Sequence, residues 1–488
     1  MRVLYVDFDC LRADHIGANG YHRNTSPNID AIAKRGITFT QCHCANSPCV
    51  PSRASLFSGR FGINNGVVGH HGISEQFRPI WNSHWTDPER PTMHWQLWQS
   101  GMKTISFSSF ADRHNAFWFA NGWQELHTFT RKRGMENADV VNEHFLPWFA
   151  EHCKEDNWFI HLHYWDIHCP ARMPAEFAKR FENDPPPAWP DEEEIERQQS
   201  YYGPRTAVDL RPDYDREWPL VPTAIRNRDD FRKLIDGYDG SIAYADHHFG
   251  QVLNVLADVG LLDETAIVVS ADHGDSFGEH GTYMDHCIAN RAVHNIPMVV
   301  SWPGMPSGLV CDEMIYGMDL APTLCDLLGF QMPEKWDGRS FAEAVRGKDF
   351  KGWDYQVWDH GIYSFTRTVV SGGWMLLTVM HPGLYPLDQP YYLYNLTEDY
   401  YQTSDLAAQR PDKVGELMTK LWEWKQEQLT KGAAPDPMEL MVREGPFLYW
   451  SPQTMARRLE ETGRGDLKAD LRQRLARYHG EMYNHILE

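Results

Sequence analysis

The sequence lacks long hydrophobic runs. No segment approaches the roughly 20 apolar residues that a membrane-spanning helix needs. Near the N-terminus, Asp7 interrupts the apolar run 3–6 before a signal-peptide core of about 7–15 residues can form. We therefore expect a cytoplasmic protein that has no membrane partner.

Basic residues are scarce. The chain has 46 Lys and Arg against 67 Asp and Glu, which gives a formal net charge of −21. Nucleic-acid binding relies on clustered Lys and Arg that neutralise phosphates, so this balance predicts no nucleic-acid partner. Net charge does not describe a single cleft, however, and a locally positive pocket for a small anion is compatible with an acidic surface.

Cysteine is sparse and shows no pattern. The nine cysteines include no repeated C-x-x-C and no finger-like Cys/His spacing, which argues against a disulfide scaffold and a structural zinc domain. We expect most of them to be buried thiols. In contrast, 42% of the 488 residues are hydrophobic, which is enough for a large core spread over about two to four domains.

Apolar strand-like segments alternate with helical ones over most of the chain. The strand-like segments are 3–9, 103–107, 158–163, 266–270 and 297–300. The clearest helix is 241–256, where apolar residues recur every 3.6 positions. This alternation predicts an α/β fold with a large, mainly parallel central sheet. Ligands of such sheets bind at the C-terminal ends of the strands.

Changes in pattern divide the chain into three predicted parts. Residues 1–335 form the α/β domain, with an insertion at about 170–235 that shows no steady periodicity. Residues 336–431 form a smaller α+β subdomain with a short antiparallel sheet and one helix. Residues 432–488 form a C-terminal extension that is a candidate for contacts in a homo-oligomer.

The segment 49–59, Cys-Val-Pro-Ser-Arg-Ala-Ser-Leu-Phe-Ser-Gly, carries the most specific motif. It resembles the C-x-P-S-R signature of the type I sulfatases, members of the alkaline phosphatase superfamily, and it includes the hydroxyl residue and glycine that follow. The resemblance implies an alkaline-phosphatase-like sandwich. It also implies that a formylglycine-generating enzyme oxidises Cys49 to formylglycine and that Arg53, one helical turn on, supports this nucleophile.

Carboxylates follow two of the predicted strands. Asp9 ends the first strand, and the run 270–281, Ser-Ala-Asp-His-Gly-Asp followed by Gly-Glu-His-Gly, resembles the metal motif of the same family. The resemblance implies that Asp9, Asp272 and His273 hold Ca²⁺ or another divalent cation such as Mn²⁺ or Mg²⁺. Oxygen-rich donor sets of this kind suit hard cations.

One position departs from the family pattern. Cys10 stands where the N-terminal D-D-x-R-x-D motif has its second aspartate, and a thiol is a poor ligand for calcium. Either the site has fewer protein ligands, or Asp7 substitutes, since Asp7 and Asp9 lie on the same face of a strand. Some phosphonate monoester and phosphodiester hydrolases of the superfamily also lack this aspartate, so such a hydrolase is the alternative prediction.

Four further residues are predicted to form the shell around the anion and the leaving group. His168 resembles the His of the family H-x-P motif, which contacts sulfate or protonates the leaving oxygen. Arg113 and His114 stand near the position of a missing family lysine, and His286 is the nearest match to a second one. Five further basic residues are candidates to line the entrance, although we expect a solvated surface position for each of them: His70, His71, Arg172, His360 and Arg367.

These features predict a sulfuric ester hydrolase. The resemblance implies that one hydroxyl of hydrated formylglycine attacks sulfur and that proton loss from the other then expels sulfate. Aromatic residues in the insertion favour a sulfated saccharide as substrate, unless they are core residues: Trp189, Tyr201, Tyr202 and Trp218. If Cys49 remains a thiol, the alternative of another class is a non-catalytic anion-binding protein.

Overall fold

The computed structural model describes residues 1–70, 72–77, 91–129, 136–210, 220–432, 435–483 and 485. Within these residues the strands are β1 (Arg2–Phe8), β2 (Ile37–Phe39), β3 (Cys42–His43), β4 (Asn46–Ser47), β5 (Lys103–Phe107), β6 (Glu125–His127), β7 (Trp158–Tyr164), β8 (Thr265–Ala271), β9 (Ser276–Phe277), β10 (Tyr283–Asp285), β11 (Met298–Ser301), β12 (Leu309–Cys311), β13 (Ile315–Tyr316), β14 (Gln356–Ile362), β15 (Ser364–Ser371), β16 (Trp374–His381) and β17 (Tyr391–Asn395).

The helices of the same residues are α1 (Pro27–Lys34), α2 (Cys49–Ser58), α3 (Gly62–Asn65), α4 (Met93–Gln99), α5 (Phe110–His114), α6 (Ala138–His152), α7 (Ala175–Lys179), α8 (Glu192–Gln198), α9 (Arg228–Asp258), α10 (Arg291–His294), α11 (Leu320–Leu328), α12 (Ala342–Val345), α13 (Pro411–Gly432), α14 (Pro437–Met441), α15 (Pro452–Glu461) and α16 (Lys468–His479). None of these described helices combines the length and the apolar character needed to span a membrane.

The predicted α/β architecture is confirmed. Eight strands form a large sheet in the order β12-β2-β11-β8-β1-β7-β5-β6. All neighbouring pairs are parallel except those of β11, which runs antiparallel to both β8 and β2. At the centre, β1 lies between β7 and β8, with Val6 opposite Leu162 on one side and Val269 on the other. The carboxyl ends of these three buried strands therefore meet at one edge of the sheet.

A second, smaller sheet has the order β17-β16-β15-β14-β4 and is antiparallel apart from the β14·β4 pair. Helix α13 packs on this sheet through apolar residues that include Leu417 and Trp424. Strand β4 precedes Cys49 by only two residues and pairs with β14, where Asn46 lies opposite Asp359. The small sheet thus supports the start of the helix that carries the sulfatase-like motif.

Two sequence predictions were wrong about the extent of regular structure. The helix predicted at 241–256 begins thirteen residues earlier, because the Asn227 side chain accepts a hydrogen bond from the Asp230 backbone and caps it. The acidic run 191–194 lies in the segment predicted to be an irregular insertion. It instead forms the start of α8, because the Asp191 side chain accepts a hydrogen bond from the Glu194 backbone N–H and caps the helix. Carboxylates in a first helical turn are favoured by the helix dipole.

The C-terminal segment packs against the same chain. Arg458 and Arg464 both pair with buried Asp209, at 3.0 and 2.6 Å. The hydroxyl of Tyr202 donates to Asp470 at 2.7 Å. These contacts join α15 and α16 to the region predicted as an insertion, so residues 452–479 form part of the described body of the protein. The predicted domain boundaries and the oligomer contact stay predictions.

Candidate active site

The nucleophile candidate lies where the large sheet meets α2. Cys49 is the first residue of α2, all ten residues of this helix are buried, and the Cys49 thiol is 1% exposed. Its Sγ lies 3.2 Å from Nε2 of His273, which follows β8. Hydrogen bonding from Cys10, together with the charge of His273, holds the pKa of the Cys49 thiol well below its ordinary value, although burial opposes this.

Arg53, four residues further along α2, lies among three aspartates from the strand ends. Its Nε donates to Asp7 at 2.8 Å, and its Nη1 donates to Asp9 at 2.9 Å and to Asp272 at 2.6 Å. Its Nη2 donates to Nε2 of His163 at 2.8 Å. Arg53 and the three aspartates are fully buried side chains. Burial opposes the charge of Arg53, but Asp272, Asp7 and Asp9 outweigh it and raise its pKa.

The charges of this cluster do not balance. Three carboxylates face one guanidinium, so two negative charges remain when all three aspartates are ionised. Burial raises the pKa of Asp272, the neighbouring Asp9 adds to this effect, and Arg53 opposes it. Oδ1 of Asp7 is buried and has no hydrogen-bond partner. A divalent cation would offset this surplus.

The donor atoms around the surplus charge suit such a cation. Ligand atoms of Asp9, Cys49, Asp272 and His273 all lie within 4.8 Å of one another. Nδ1 of His273 donates to the Gly274 carbonyl at 2.9 Å, which leaves Nε2 as the ligand atom. Two carboxylates and one oriented imidazole therefore fit a divalent metal ion.

Asp7 and Cys10, the two candidates for the missing ligand, are placed differently. Asp7 contacts Arg53 and, at 3.3 Å, Nε2 of His161; it belongs to none of the metal-type donor groups found among the described residues. The Cys10 thiol donates to Asp9 at 3.1 Å and lies 3.9 Å from Nε2 of His273. The thiol, rather than the extra aspartate, therefore points into the centre.

A pocket of about 200 Å³ opens over Cys49, and all four predicted shell residues line it: Arg113, His114, His168 and His286. Nδ1 of His168 donates to the Cys169 carbonyl at 2.7 Å, which leaves Nε2 to act in the pocket. Burial lowers the pKa of His114 to about 3, so this ring is neutral at neutral pH. His114 therefore offers a hydrogen bond to an anion but no charge.

His286 lies between two carboxylates. Its Nδ1 is 3.2 Å from Asp275 and its Nε2 is 3.3 Å from Asp285. Burial disfavours the charged ring, but Asp285 outweighs it and raises the pKa of His286. An imidazole paired with two carboxylates thus stands near the position where the family resemblance leads us to expect a lysine.

Several pocket residues were not singled out from the sequence, among them Arg205, Tyr363 and Tyr449. Arg205, from the predicted insertion, donates from Nε to Asp285 at 2.9 Å. Tyr363 from the loop between β14 and β15 and Tyr449 from the C-terminal segment also line the pocket. Tyr449 contacts Nδ1 of His70 at 3.2 Å. No motif marks these residues, because they come from segments outside the family signatures and only the fold brings them together.

The expectation that the remaining basic candidates are solvated was wrong for three of them. His70 lines the pocket and is 8% exposed, His360 is 0% exposed and Arg367 is 3% exposed. The Ser47 hydroxyl is hydrogen-bonded to Nδ1 of His360 at 2.8 Å. Arg367 forms ion pairs with two aspartates. Arg172 is half-buried. His71 lies outside the described residues.

Three of the four aromatic residues predicted to stack on a sugar are described by the structure, and none of these three lines this pocket. Trp189 stacks on Tyr401 with ring centroids 4.2 Å apart. Tyr202 packs against the C-terminal helices, and the Tyr201 ring lies beneath the guanidinium of Arg197. These three are packing residues, and Trp218 lies outside the described residues.

Comparisons with known proteins agree with this fold. A phosphonate monoester hydrolase of Agrobacterium radiobacter matches with a TM-score of 0.67 at 18% identity, over 88% of this chain and 96% of that chain. A protein solved in complex with its substrate D-glucosamine-2-N,6-O-disulfate matches with a TM-score of 0.68 at 18% identity, over 90% of this chain and 99% of that chain. These likenesses show the fold of the protein: a mixed α/β architecture with a large, mainly parallel central sheet and a separate, smaller antiparallel sheet.

Sequence comparisons are more specific. The family model described as Sulfatase matches residues 2–330. An arylsulfatase of Clostridium perfringens is 24% identical over 406 residues, which are 74% of this chain and 81% of the relative. The match covers only 47% of a putative extracellular sulfatase of Caenorhabditis elegans and 55% of an ulvan-active sulfatase of Formosa agariphila. The chain belongs to the sulfatase family, whose members are sulfuric ester hydrolases.

Proposed function

We propose that this protein hydrolyses the sulfate ester of a small sulfated saccharide and that Cys49, converted to formylglycine, supplies the nucleophile. One observation carries this proposal: the Cys49 side chain lines the pocket, and its Sγ lies 3.2 Å from Nε2 of His273, beside the buried cluster of Arg53 and three aspartates. Formylglycine hydrate offers two hydroxyls, one to attack and one to release the product, which a thiol does not.

Asp9, Asp272 and His273 would hold the divalent cation, which we propose to be Ca²⁺, Mn²⁺ or Mg²⁺. When bound, such an ion stabilises the negative charge that develops in the transition state. Arg53 keeps Asp9 and Asp272 in position through hydrogen bonds of 2.9 and 2.6 Å. Because Arg53 holds the carboxylates of Asp9 and Asp272 in place before the substrate binds, these carboxylates need little reorganisation during the reaction.

The shell residues have distinct proposed tasks. Arg113 and His286 offer positive charge to the sulfate oxygens, and neutral His114 offers a hydrogen bond. His168, oriented through its Nδ1, transfers a proton at Nε2 to the leaving oxygen. Arg113 and His114 reach the pocket from the end of α5, His168 from the segment after β7 and His286 from the segment after β10. The pocket therefore surrounds an anion from three parts of the chain.

The pocket size bears on the substrate class. At about 200 Å³, it is smaller than the roughly 300–1,000 Å³ that most ligand pockets have. It therefore suits one sulfated sugar residue better than a polymer segment. The neighbour that was solved in complex with its substrate D-glucosamine-2-N,6-O-disulfate supports a saccharide, since it is a protein of this fold whose substrate is a sulfated sugar.

A screen of defined sulfated mono- and disaccharides tests the proposal, using metal-replete protein in which intact mass confirms formylglycine. The conversion lowers the mass by about 18 Da. We expect turnover of at least one sulfated sugar and none by Cys49→Ala protein. Full activity of a preparation with an unmodified thiol would contradict the mechanism, and binding of sulfated sugars without turnover would indicate the anion-binding alternative.

Cys10 favours a second candidate function. A phosphonate monoester hydrolase on this scaffold is consistent with the thiol at the position of the second aspartate and with the fold likeness to the Agrobacterium enzyme. Rates on an aryl sulfate and on an aryl phosphonate separate the two functions. Much faster phosphonate turnover would favour the second candidate.

A further inference from the structure

A second group of metal-type donors lies beside the proposed hydrolytic centre. One ligand atom each from Cys10, His273, Asp275 and His286 lies within 4.8 Å of all the others, and all four residues are buried. Cys10, Asp275 and His286 also line the pocket. One sulfur, two imidazole nitrogens and one carboxylate oxygen are the donors of a tetrahedral zinc site rather than of a calcium site.

The backbone fixes the direction of the Cys10 thiol. Cys10 has φ of +59°, in the left-handed region, which residues other than glycine adopt only where their surroundings hold them. Its N–H donates to Asp272 at 3.0 Å, and its carbonyl accepts from the Tyr238 hydroxyl at 2.7 Å. These bonds turn the side chain toward His273, at 3.9 Å.

His273 is common to both donor groups. Its Nδ1 is occupied by the Gly274 carbonyl, so only Nε2 is available as a ligand, and this atom also faces Cys49. One imidazole nitrogen binds one ion at a time. An ion held with Cys10 therefore takes His273 away from Asp9 and Asp272.

We propose that Cys10, His273, Asp275 and His286 form a second cation site, the Cys10 site, which selects zinc-class ions and competes with the Asp9 and Asp272 pair for His273. Binding replaces the proton of the Cys10 thiol, which passes to solvent. The consequence rests on the proposed sulfatase function: zinc inhibits hydrolysis, because it withdraws His273 from the hydrolytic centre and engages His286 in the anion pocket.

Cobalt(II) is the probe, since a thiolate ligand gives it a charge-transfer absorption band that oxygen and nitrogen ligands do not give. Full-length Cys49→Ser protein, in which residue 49 contributes no sulfur, is stripped of metal and titrated with cobalt(II). We expect the band in this protein and its loss when Cys10→Ser is added. Cys44→Ser in the same background is the matched control and keeps the band, since buried Cys44 contacts His294 at 3.4 Å instead.

Absence of the band in Cys49→Ser protein, or a band that survives Cys10→Ser, would overturn the Cys10 site. Near-ultraviolet circular dichroism shows whether each variant is folded. If Cys10→Ser protein is not folded, Asp275→Asn decides the question, because it keeps the thiol but removes a charged donor. We expect this variant to bind cobalt(II) at least about tenfold more weakly, and unchanged affinity would refute the site.

Inhibition is measured separately on formylglycine-verified wild-type protein. We expect added zinc to inhibit and added manganese or calcium to reverse the inhibition, with a half-inhibiting zinc concentration at least about tenfold higher for Cys10→Ser. A cobalt band without turnover of any sulfate ester would refute the proposed function alone. Turnover without the band, or zinc inhibition that Cys10→Ser leaves unchanged, would refute the Cys10 site alone.

Discussion

Two buried arginines, Arg53 and Arg367, are each enclosed by aspartates, but their clusters differ in charge and in surroundings. Arg53 faces three aspartates and borders the pocket through its neighbour Cys49. Arg367, on β15, faces two: its Nη2 donates to Asp359 at 3.0 Å and its Nη1 to Asp436 at 2.7 Å. The first cluster thus retains two negative charges and the second retains one.

The second cluster joins parts of the fold. Asp359 lies on β14 beside Arg367 on β15, whereas Asp436 caps α14 by accepting from the Met438 backbone. No metal-type donor group among the described residues includes Arg367's partners. A buried arginine with carboxylates can therefore serve either a cation centre or a structural junction. The number of carboxylates and the presence of oriented His and Cys donors distinguish the two.

Loss of Arg53 should have the largest effect. Arg53→Ala leaves three buried carboxylates without their guanidinium, so we expect kcat/KM on an aryl sulfate to fall at least about 10³-fold. Arg53→Lys keeps the charge, but its donors lie on one nitrogen and do not reproduce the planar group whose Nε and Nη1 reach three aspartates. We expect it to recover only a small part of the rate. Retention of more than a tenth of the wild-type rate by folded Arg53→Ala protein would refute the proposed role.

Loss of Arg367 should affect stability instead. Arg367→Met removes one partner of a buried ion cluster, which typically costs about 3–5 kcal/mol of unfolding free energy. The rate of the folded fraction should remain near wild-type, because the side chain does not line the pocket. Denaturant unfolding and the specific rate at low temperature measure both quantities. A large rate loss without destabilisation would reverse the distinction between the two arginines.

Removal of the calcium-, manganese- or magnesium-type cation proposed at Asp9, Asp272 and His273 should affect the Arg53 cluster and not the Arg367 cluster. A cation present at about 100 times its dissociation constant stabilises the folded state by about 2.7 kcal/mol, so chelation should lower the unfolding midpoint and abolish turnover. In Arg367→Met protein the decrease on chelation should be equally large. In Asp272→Asn protein, which loses a proposed ligand, chelation should no longer change the midpoint. An unchanged wild-type midpoint would contradict the metal centre.

The smallest expected effect concerns the pocket rim. Tyr449→Phe removes the hydroxyl that contacts His70 at 3.2 Å while it keeps the ring. A single hydrogen bond of this kind is worth about 0.5–1.5 kcal/mol, so we expect KM to rise roughly 2–10-fold with little change in kcat. An effect confined to kcat would contradict this prediction, because it would show that Tyr449 contributes to the chemical step rather than to substrate binding.

The two clusters also show what the sequence could predict. Asp9, Cys49, Arg53 and Asp272 follow strand ends or stand within one short motif, and local pattern was enough to place them near one another. The roles proposed for them remain predictions. Arg367 gave no such signal, because its partner Asp436 is 69 residues away and only the packing of α14 on the small sheet brings them together.

The pocket rim was harder to predict for the same reason. Arg205 and Tyr449 come from segments with no motif and meet at the pocket through tertiary contacts. Aromatic content alone gave a wrong prediction of sugar-stacking residues, because the Trp189 ring is already stacked on Tyr401 within the protein. Composition shows that aromatic surface must be buried somewhere, but it does not show against what.

The central claim is that Cys49, as formylglycine beside the Arg53 cluster, hydrolyses sulfate esters. Its most direct test is the ratio of kcat/KM for an aryl sulfate to that for the matching aryl phosphonate, measured on metal-replete protein with formylglycine confirmed by mass. We predict a ratio well above one and loss of sulfate turnover in Cys49→Ala protein. A ratio well below one, or equal sulfate turnover by protein whose Cys49 is unmodified, would contradict the account.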